Sequence, residues 1–379
     1  MIALVVASAY LALLGARAAL AWRYARRCPV PGPADFGRVC VLQPILSGDP
    51  GLERALEDNV VGMPGVRFLW LVDDDDAVGI EVCEALRRRH PTARIEVLVC
   101  PTPPPGRNPK LWKLEHARAA VTEPVLVVLD DDTRLPGTSL AALLAAVETH
   151  ELATGLPGSL HDARLPSRLL AQFVNDGAAL TYLPLLNVCP PMTINGMTWA
   201  IRRDTLEGTG GFAPLLHHLT DDLAVARRIL GAGGTIYQSP YPQWVQTTVS
   251  GLGHYGRIMH RWFLFALLLV RRQPIGTRLA IGTLFMLPPL LLWAMLLAVA
   301  LEPGRATIVV VAGTLIVRAV TLAVTQRRIY GRVLHEPALS IASELLQPVH
   351  LAHAAVDRRI VWRTRRYRVL SDEDFVEIG

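Results

Sequence analysis

Three groups of carboxylates stand at the ends of apolar runs: Asp73–Asp76, Asp130–Asp132 and Asp221–Asp222. Bunched carboxylates repel one another and raise each other's pKa unless a cation or a hydrogen-bond network compensates. One such group is as well explained by a solvated loop; three, each after a strand-like or turn segment, point to a shared ligand. Magnesium and manganese take oxygen donors, often one or two carboxylates plus substrate phosphates, and Asp130-x-Asp132, leaving a buried strand, suits that arrangement. A calcium loop of the EF-hand kind does not fit, because Leu135 stands where that loop needs Gly and Ala141 where it needs a bidentate Glu. Of 38 basic residues only Lys110 and Lys113 are lysines, and both lie in Asn108-Pro-Lys-Leu-Trp-Lys113. Arginine elsewhere is compatible with codon bias, but an ammonium is a compact point charge suited to a phosphate or carboxylate.

Other motifs carry less. Gly251-Leu-Gly-His-Tyr-Gly256 matches G-x-G-x-x-G, yet the residues that follow are Arg257-Ile-Met-His-Arg-Trp262 and then apolar sequence. A dinucleotide fingerprint needs a βαβ unit and an acidic residue about 20 positions on, so the match reads as a glycine-rich turn. No Gly-Lys pair exists for a Walker A loop. His217–His218 and His350-x-x-His353 lack a supporting ligand set. Arg261–Trp262, taken alone, reads as an interfacial anchor.

The elements that must position these residues follow from the apolar pattern. Val39–Ile45, Phe68–Val72, Ile95–Val99 and Val125–Leu129 read as strands, and Gly51–Val61, Ile80–Arg89, Pro109–Ala120 and Thr138–Thr149 as helices between them. Strand and helix in alternation predict an α/β fold with a mainly parallel sheet covered on both faces, and such sheets bind ligands at the carboxyl ends of their strands.

The ends of the chain differ. Of 379 residues 51% are hydrophobic and only 19% charged, which excludes a disordered chain and argues against a purely soluble one. Ile2–Ala21 is apolar apart from Arg17 and is followed by Arg23, Arg26 and Arg27; charge after the apolar run predicts a retained anchor with the following domain in the cytoplasm. Leu279–Leu301 holds no charge over 23 residues, enough for a ~30 Å hydrocarbon core. Ala306–Thr325 is a second span, with Arg318 its one costly residue, and arginines on both outer flanks place those ends in the cytoplasm. Ala338–Val356 is only partly apolar and reads as an interfacial helix. The predicted division is an anchor (1–22), a linker (23–38), a catalytic domain (39–250), an interfacial segment (251–278), two transmembrane helices (279–325) and a membrane-associated helix with a basic tail (326–379). Five scattered cysteines without a C-x-x-C pair fit a reducing compartment rather than a disulfide framework or zinc site. The formal charge is only +5 and the arginines gather at membrane flanks, as for anionic headgroups, not on a nucleic-acid-binding face.

In order along the chain, these motifs resemble a membrane-bound family 2-type glycosyltransferase of GT-A fold, most closely the ceramide glucosyltransferases and bacterial relatives, including hopanoid-associated enzymes. Gln43-Pro-Ile-Leu-Ser-Gly-Asp49 resembles the opening strand and loop, Asp74–Ile80 the first aspartate region, Asn108-Pro-Lys110 the Asn-Pro-Lys motif, and Asp130-Asp-Asp-Thr-Arg134 the D-x-D. Gly196–Arg203 followed by Gly210–Gly211 resembles the acceptor-side segment, and Thr220-Asp-Asp222 the Glu-Asp pair with the catalytic base. Arg261–Trp262 resembles the end of (Q/R)-x-x-R-W, and Trp362–Arg368 a C-terminal element. Two positions depart from the pattern: Ile258 replaces the leading Gln or Arg, with Arg257 one place earlier, and Asp221 stands where relatives often have Glu.

The resemblance implies a UDP-sugar donor bound by Pro44, Asp49, Asp74, Lys110 and Asp130, with Mg²⁺ or Mn²⁺ on Asp130 and Asp132. It implies Asp222 as general base, Arg261 beside the diphosphate and Trp262 on the acceptor wall. The reaction it implies is inverting transfer to the hydroxyl of a membrane lipid, in a multi-pass protein of the bacterial inner membrane. A ceramide-type acceptor with glucose is the first expectation and a hopanoid with N-acetylglucosamine the second. A non-catalytic membrane protein with a degenerate transferase domain is the alternative of another class.

Overall fold

The computed structural model describes residues 1–362, 365–371 and 375–378. The chain divides into two compact units, one of Met1–Cys28, Asp162–Cys189 and Val249–Thr364, the other of Pro29–His161, Pro190–Thr248 and Arg365–Gly379.

The second unit is built on an eight-stranded sheet. Its strands are β1 (Val39–Ile45), β2 (Arg67–Asp73), β3 (Arg94–Cys100), β4 (Val125–Leu129), β5 (Thr133–Arg134), β6 (Leu152–Ser159), β7 (Thr198–Arg202) and β8 (Ile236–Val245), in the order β3-β2-β1-β4-β7-β6-β8-β5. β1 to β4 run parallel, β7 opposes both β4 and β6, and β8 returns parallel to β6. The sheet is therefore mixed and mainly parallel, and the four expected strands lie within about a residue of their predicted ends. β1 is buried at every position, as a central parallel strand covered on both faces must be. Its side chains alternate: Val39, Val41 and Ile45 join Phe68 and Trp70 in one core, while Cys40 and Leu42 join Leu69 and Leu71 in the other. Pro44 lies past the last β1–β4 pair, Leu42 with Val128, so its missing N–H interrupts no bond to β4.

After the N-terminal helix α1 (Ile2–Arg27), the covering helices are α2 (Leu52–Gly62), α3 (Ala77–Arg89), α4 (Pro109–Arg118), α5 (Gly137–Val147), α7 (Arg203–Gly208) and α8 (Asp221–Gly231). α4 starts where its sequence dictates. Asn108 is the N-cap, accepting from the backbone N–H groups of Lys110 and Leu111, and Pro109 occupies the first turn, a cap worth about 1 kcal/mol. β10 (Arg365–Val369) and β11 (Phe375–Glu377) form an antiparallel pair.

The first unit is helical: α1, α6 (Leu165–Tyr182), α9 (Leu252–Arg271), α10 (Ile275–Ile281), α11 (Leu287–Leu301), α12 (Arg305–Tyr330) and α13 (Pro337–Val356), followed by the short strand β9 (Arg359–Trp362). Among the described residues three segments are long and apolar enough to cross a membrane: Ile2–Arg27, Ile275–Leu301 and Arg305–Tyr330. α13 is not among them. α1 turns a stripe of Ala3, Ala7, Tyr10, Leu14, Ala18 and Ala21 inward at helical spacing and packs on α11 and α12. The second span carries a π-turn at Gly282–Met286, directly before Pro288–Pro289. Proline offers no N–H to the preceding turn and crowds its carbonyl, and the ladder widens to accommodate it. All five cysteines are free thiols. Of the C-terminal motif, Arg363 and Thr364 lie outside the described residues.

Candidate active site

At the carboxyl ends of β1, β2 and β4, the two lysines of α4 point to different partners. Lys110 Nζ lies 2.7 Å from Asp130 Oδ1 and 2.8 Å from Asp221 Oδ2, and donates to the Gly196 carbonyl at 2.7 Å. One ammonium thus joins the residue after β4, the loop before β7 and the first turn of α8. The Asn108 cap shares in this, since its side-chain N–H₂ donates to the carbonyls of His218 and Leu219, just ahead of α8. Lys113 Nζ donates to the Ile45 carbonyl and the Asp73 carboxylate, each at 2.8 Å, and is 1% exposed. It ties together the ends of β1 and β2.

Asp130 belongs to a dense group of carboxylates. Its carbonyl accepts from Gln43 Nε2, whose Oε1 accepts from Trp70 Nε1. Asp131 accepts from Leu46 N–H at 2.8 Å and so pins the loop after β1. Asp132 Oδ2 accepts from the Thr247 hydroxyl at 2.7 Å, and Asp49 accepts from both the N–H and the hydroxyl of Thr248 at 2.8 Å. Burial, then the Asp131 and Asp130 charges, push the Asp132 carboxyl up to about 7. Asp130 is also raised, by burial first, with Lys110 opposing. Burial works against the Lys110 ammonium, but Asp130 and Asp221 override it and hold the amine well above its ordinary value.

Asp222 sits in the first turn of α8 and accepts from the Leu223 N–H at 2.7 Å. Burial, and next the charge of Asp221, push it up to about 7. Gly196 gives it room, since a Cβ there would come within 3.2 Å of Asp222 Cβ.

The four-aspartate run divides by function. Asp73 pairs with Lys113. Asp76 caps α3 through the Gly79 N–H and holds the loop after β1 through the N–H and hydroxyl of Ser47; these bonds outweigh burial and keep its carboxyl below the usual range. Asp74 is exposed and accepts from the Thr102 hydroxyl at 2.7 Å. Pro44 is buried on β1.

Lys110, Asp130 and Asp221 are therefore directly joined, with Asp222 adjoining in α8, while Asp132 and Asp49 are held by the neighbouring Thr247–Thr248 pair. Arg261 and Trp262 lie on α9 in the other unit, where the Trp262 ring packs tilted against Phe173 with centroids 6.2 Å apart. Gly251-x-Gly-x-x-Gly256 is not a turn: Gly251 caps α9, and the other two glycines lie in its opening turns. The apolar stripe of Tyr255, Ile258 and Met259 draws the segment into helix despite its glycines.

Gln43, Asp131, Thr247 and Thr248 also hold this region together, though none is a candidate site residue by sequence. Asp131 sat inside a recognised run, and Gln43 inside a recognised motif. The two threonines carry no signal, because threonine after a strand is ordinary.

Among the described residues no three His, Cys, Asp or Glu side chains form a ready metal cage. The donor chemistry nonetheless fits a magnesium- or manganese-type ion, which commonly takes one or two carboxylates and completes its shell with phosphate and water. Asp130 and Asp132 offer oxygen only, and the Asp132 carboxyl, raised by burial and then by the charges of Asp131 and Asp130, would be relieved by a cation.

Carboxylates and a lysine thus gather at the strand ends of a mixed sheet, where open α/β sheets bind their ligands. The chain belongs to glycosyl transferase family 21, whose model matches residues 1–375, and it is a glycosyltransferase. The mixed, mainly parallel sheet, with apolar helices toward both ends of the chain, is the GT-A arrangement. Among solved structures it is similar to the mannosyltransferase PcManGT from Pyrobaculum calidifontis in complex with GDP-Man and Mn²⁺ (18% identity, 93% of this chain and 98% of that one, TM-score 0.49). It is also similar to GalNAc-T7 with UDP, GalNAc and Mn²⁺ (12% identity, 59% and 48%, TM-score 0.42).

Proposed function

We propose that the protein transfers a sugar from a UDP-sugar to the hydroxyl of a membrane lipid, with inversion, as a ceramide-type glucosyltransferase anchored by several membrane-spanning helices with its sheet unit in the cytoplasm. The observation that carries this reading is the junction at Lys110, where Asp130 and Asp221 share one ammonium and Asp222 follows with a carboxyl near neutrality. The three apolar helices support a lipid acceptor, whose tails need not leave the bilayer.

Asp222 takes the proton from the acceptor hydroxyl. Burial and the charge of Asp221 raise its carboxyl far above the ordinary carboxylate value, which makes it a stronger base, and general base catalysis gives typically 10²–10⁴-fold. The acceptor oxygen then bonds to the anomeric carbon from the face opposite the diphosphate, the bond from that carbon to the diphosphate oxygen breaks, and UDP departs with the electron pair. Asp222 returns its proton to solvent. Asp130 and Asp132 would hold a divalent ion, which when bound neutralises charge on the departing diphosphate. Lys110 fixes Asp130 and Asp221 relative to each other, and Asp49 and Asp74 on the loops, with Pro44 at the end of β1, are assigned to the nucleotide side on resemblance. Arg261 and Trp262 are assigned to the diphosphate and acceptor sides on resemblance.

The test is UDP release by purified protein in detergent with membrane lipid extract, across UDP-glucose, UDP-galactose and UDP-N-acetylglucosamine with Mg²⁺ or Mn²⁺, and mass spectrometry of the lipids. Asp222→Asn is expected to lose about 10²–10⁴-fold in turnover while UDP affinity stays near that of the parent. Residual turnover within about tenfold of the parent would remove Asp222 from the base role.

A further inference from the structure

α8, which brings Asp221 and Asp222 into the site, does not fix its own start. Its N-cap is Thr220, whose side chain makes no capping bond, and the Thr220 hydroxyl has no hydrogen-bond partner although the residue is 2% exposed. The opening N–H groups of a helix look outside it for partners, and here the Asp222 carboxylate itself takes the Leu223 N–H. The placing of this first turn therefore comes from outside α8.

Asn108 supplies it. The residue is 1% exposed, and both sides of its amide are fully used. Oδ1 accepts from the N–H groups of Lys110 and Leu111 at 2.9 and 3.1 Å, and Nδ2 donates to the carbonyls of His218 and Leu219 at 3.0 and 3.2 Å. A backbone N–H only donates and a carbonyl only accepts, so these partners fix which way the amide faces. The Asn108 N–H adds a third bond to the same stretch, reaching the Leu216 carbonyl at 2.8 Å.

The support behind Asn108 is rigid. Leu215 and Leu216 share a core with Leu111 and Leu114 of α4, and α4 is fastened to the ends of β1 and β2 by Lys113. The chain then runs from Leu219 through the Thr220 cap into Asp221 and Asp222. Lys110 also grips Asp221, but its ammonium is shared with Asp130 and answers to whatever charge arrives there. Asn108 is neutral, and all its partners here are backbone groups.

We infer that Asn108 is a positioning residue that sets the first turn of α8, and with it the place of the Asp222 carboxylate, without touching substrate. The inference rests on the reading of Asp222 as the base. Capping α4 does not by itself call for asparagine, since serine and aspartate cap about as well. Of these residues only asparagine can cap one helix while donating to two carbonyls at the entry of another. The consequence for rate is large, because misplacing a reacting group by about 1 Å can cost on the order of 10²-fold.

The test uses the full-length protein in detergent with membrane lipid extract and the UDP-sugars above, comparing Asn108→Ser and Asn108→Asp with the parent. Serine keeps a neutral cap but cannot reach both carbonyls, and aspartate keeps the shape but sets an acceptor against them. The expected loss in kcat is about tenfold for Asn108→Ser, the size of one or two hydrogen bonds, and about 10²-fold for Asn108→Asp. UDP affinity and the KM for the UDP-sugar should stay within about twofold of the parent, which also shows that the variants fold. If Asn108→Asp fails to fold, the neutral Asn108→Ser carries the test. In an Asp222→Asn background, Asn108→Ser should cost less than about twofold, because the group it positions is already gone. Equal losses in the two backgrounds, an unchanged kcat, or a loss confined to KM would each overturn the inference. Hydrogen exchange gives a readout independent of turnover: amides at the start of α8 should exchange faster in both variants while those of α4 keep the parent's rate, and unchanged exchange at α8 would also overturn it. If the parent turns over no donor with any lipid, the transfer reading fails and exchange still decides whether Asn108 holds α8. If glycolipid forms, Asp222→Asn abolishes it and the Asn108 variants match the parent, the inference fails and the reaction stands.

Discussion

Lys110 and Lys113 stand one helical turn apart on α4 and share a residue type, yet their surroundings are built on opposite principles. Lys113, fully buried, donates to the Asp73 carboxylate and the Ile45 carbonyl, so its charge is spent on holding strand ends together. Lys110 meets two carboxylates, and around it Asp131, Asp132 and Asp222 add more negative charge than one ammonium can balance. A balanced pair holds strands together. An unbalanced one leaves negative charge available to a further cation and to a proton, which is what a site for metal-assisted transfer requires.

The comparison breaks first at Lys113. Lys113→Met leaves the Asp73 carboxylate buried without its counter-charge, and removing one partner of a buried pair costs about 3–5 kcal/mol. Thermal unfolding in detergent is expected to show a large fall in the midpoint, with activity lost because the ends of β1 and β2 separate. Adding Asp73→Asn should recover much of that loss, since the stranded charge is gone. A single variant that melts with the parent would mean the pair contributes nothing to the fold.

Lys110 should respond in the other sense. Lys110→Met frees Asp130 and Asp221 from each other, and loss of one preorganised electrostatic group costs about 10²–10³-fold in rate. The midpoint should move far less than for Lys113→Met, because Asp130 and Asp221 reach solvent more readily than Asp73 does. Steady-state UDP release and thermal unfolding, measured on the same preparations, separate the two outcomes. Equal damage to stability in both variants would erase the distinction between them.

This division was not legible in the sequence, where the two lysines were one observation. What could be read was local. The strands β1 to β4 announced themselves as short apolar runs, and α4 as an Asn cap followed by proline. The carboxylates at the ends of those runs were visible for the same reason, since strand ends are fixed by where burial stops. Partner choice depends on the assembled sheet: which of four consecutive aspartates faces α4 is set by the register of β2, and no spacing rule contains that. α6 was equally silent, an amphipathic helix drawn from the middle of the catalytic stretch into the helical unit. Thr247 and Thr248 matter only because β8 delivers them to Asp132 and Asp49. The glycines opening α9 misled for the converse reason, as the pull of a buried apolar stripe exceeded their local preference for a turn.

The smallest expected effect, and the sharpest probe of charge imbalance, is pH. Asp222 titrates near 7, so kcat/KM should be level above that value and fall about tenfold per unit below it as the base becomes protonated. A profile flat to pH 5 would place the base elsewhere. Stability should move the opposite way. Asp132 and Asp222 both have folded-state values far above the ordinary carboxylate value, so between about pH 4 and 7 the folded protein holds protons that the unfolded chain releases. Their contribution is therefore fully present below pH 4 and lost as pH rises through 7, where bare carboxylates must be kept together. Mn²⁺ should offset that loss, raising the unfolding midpoint more at pH 8 than at pH 5.5, where protons compete for the same oxygens. Lys113 and Asp73, already matched, should give no such metal-dependent difference, and a midpoint indifferent to Mn²⁺ at pH 8 would show that the carboxylates around Lys110 are no more open to a cation than Asp73 is.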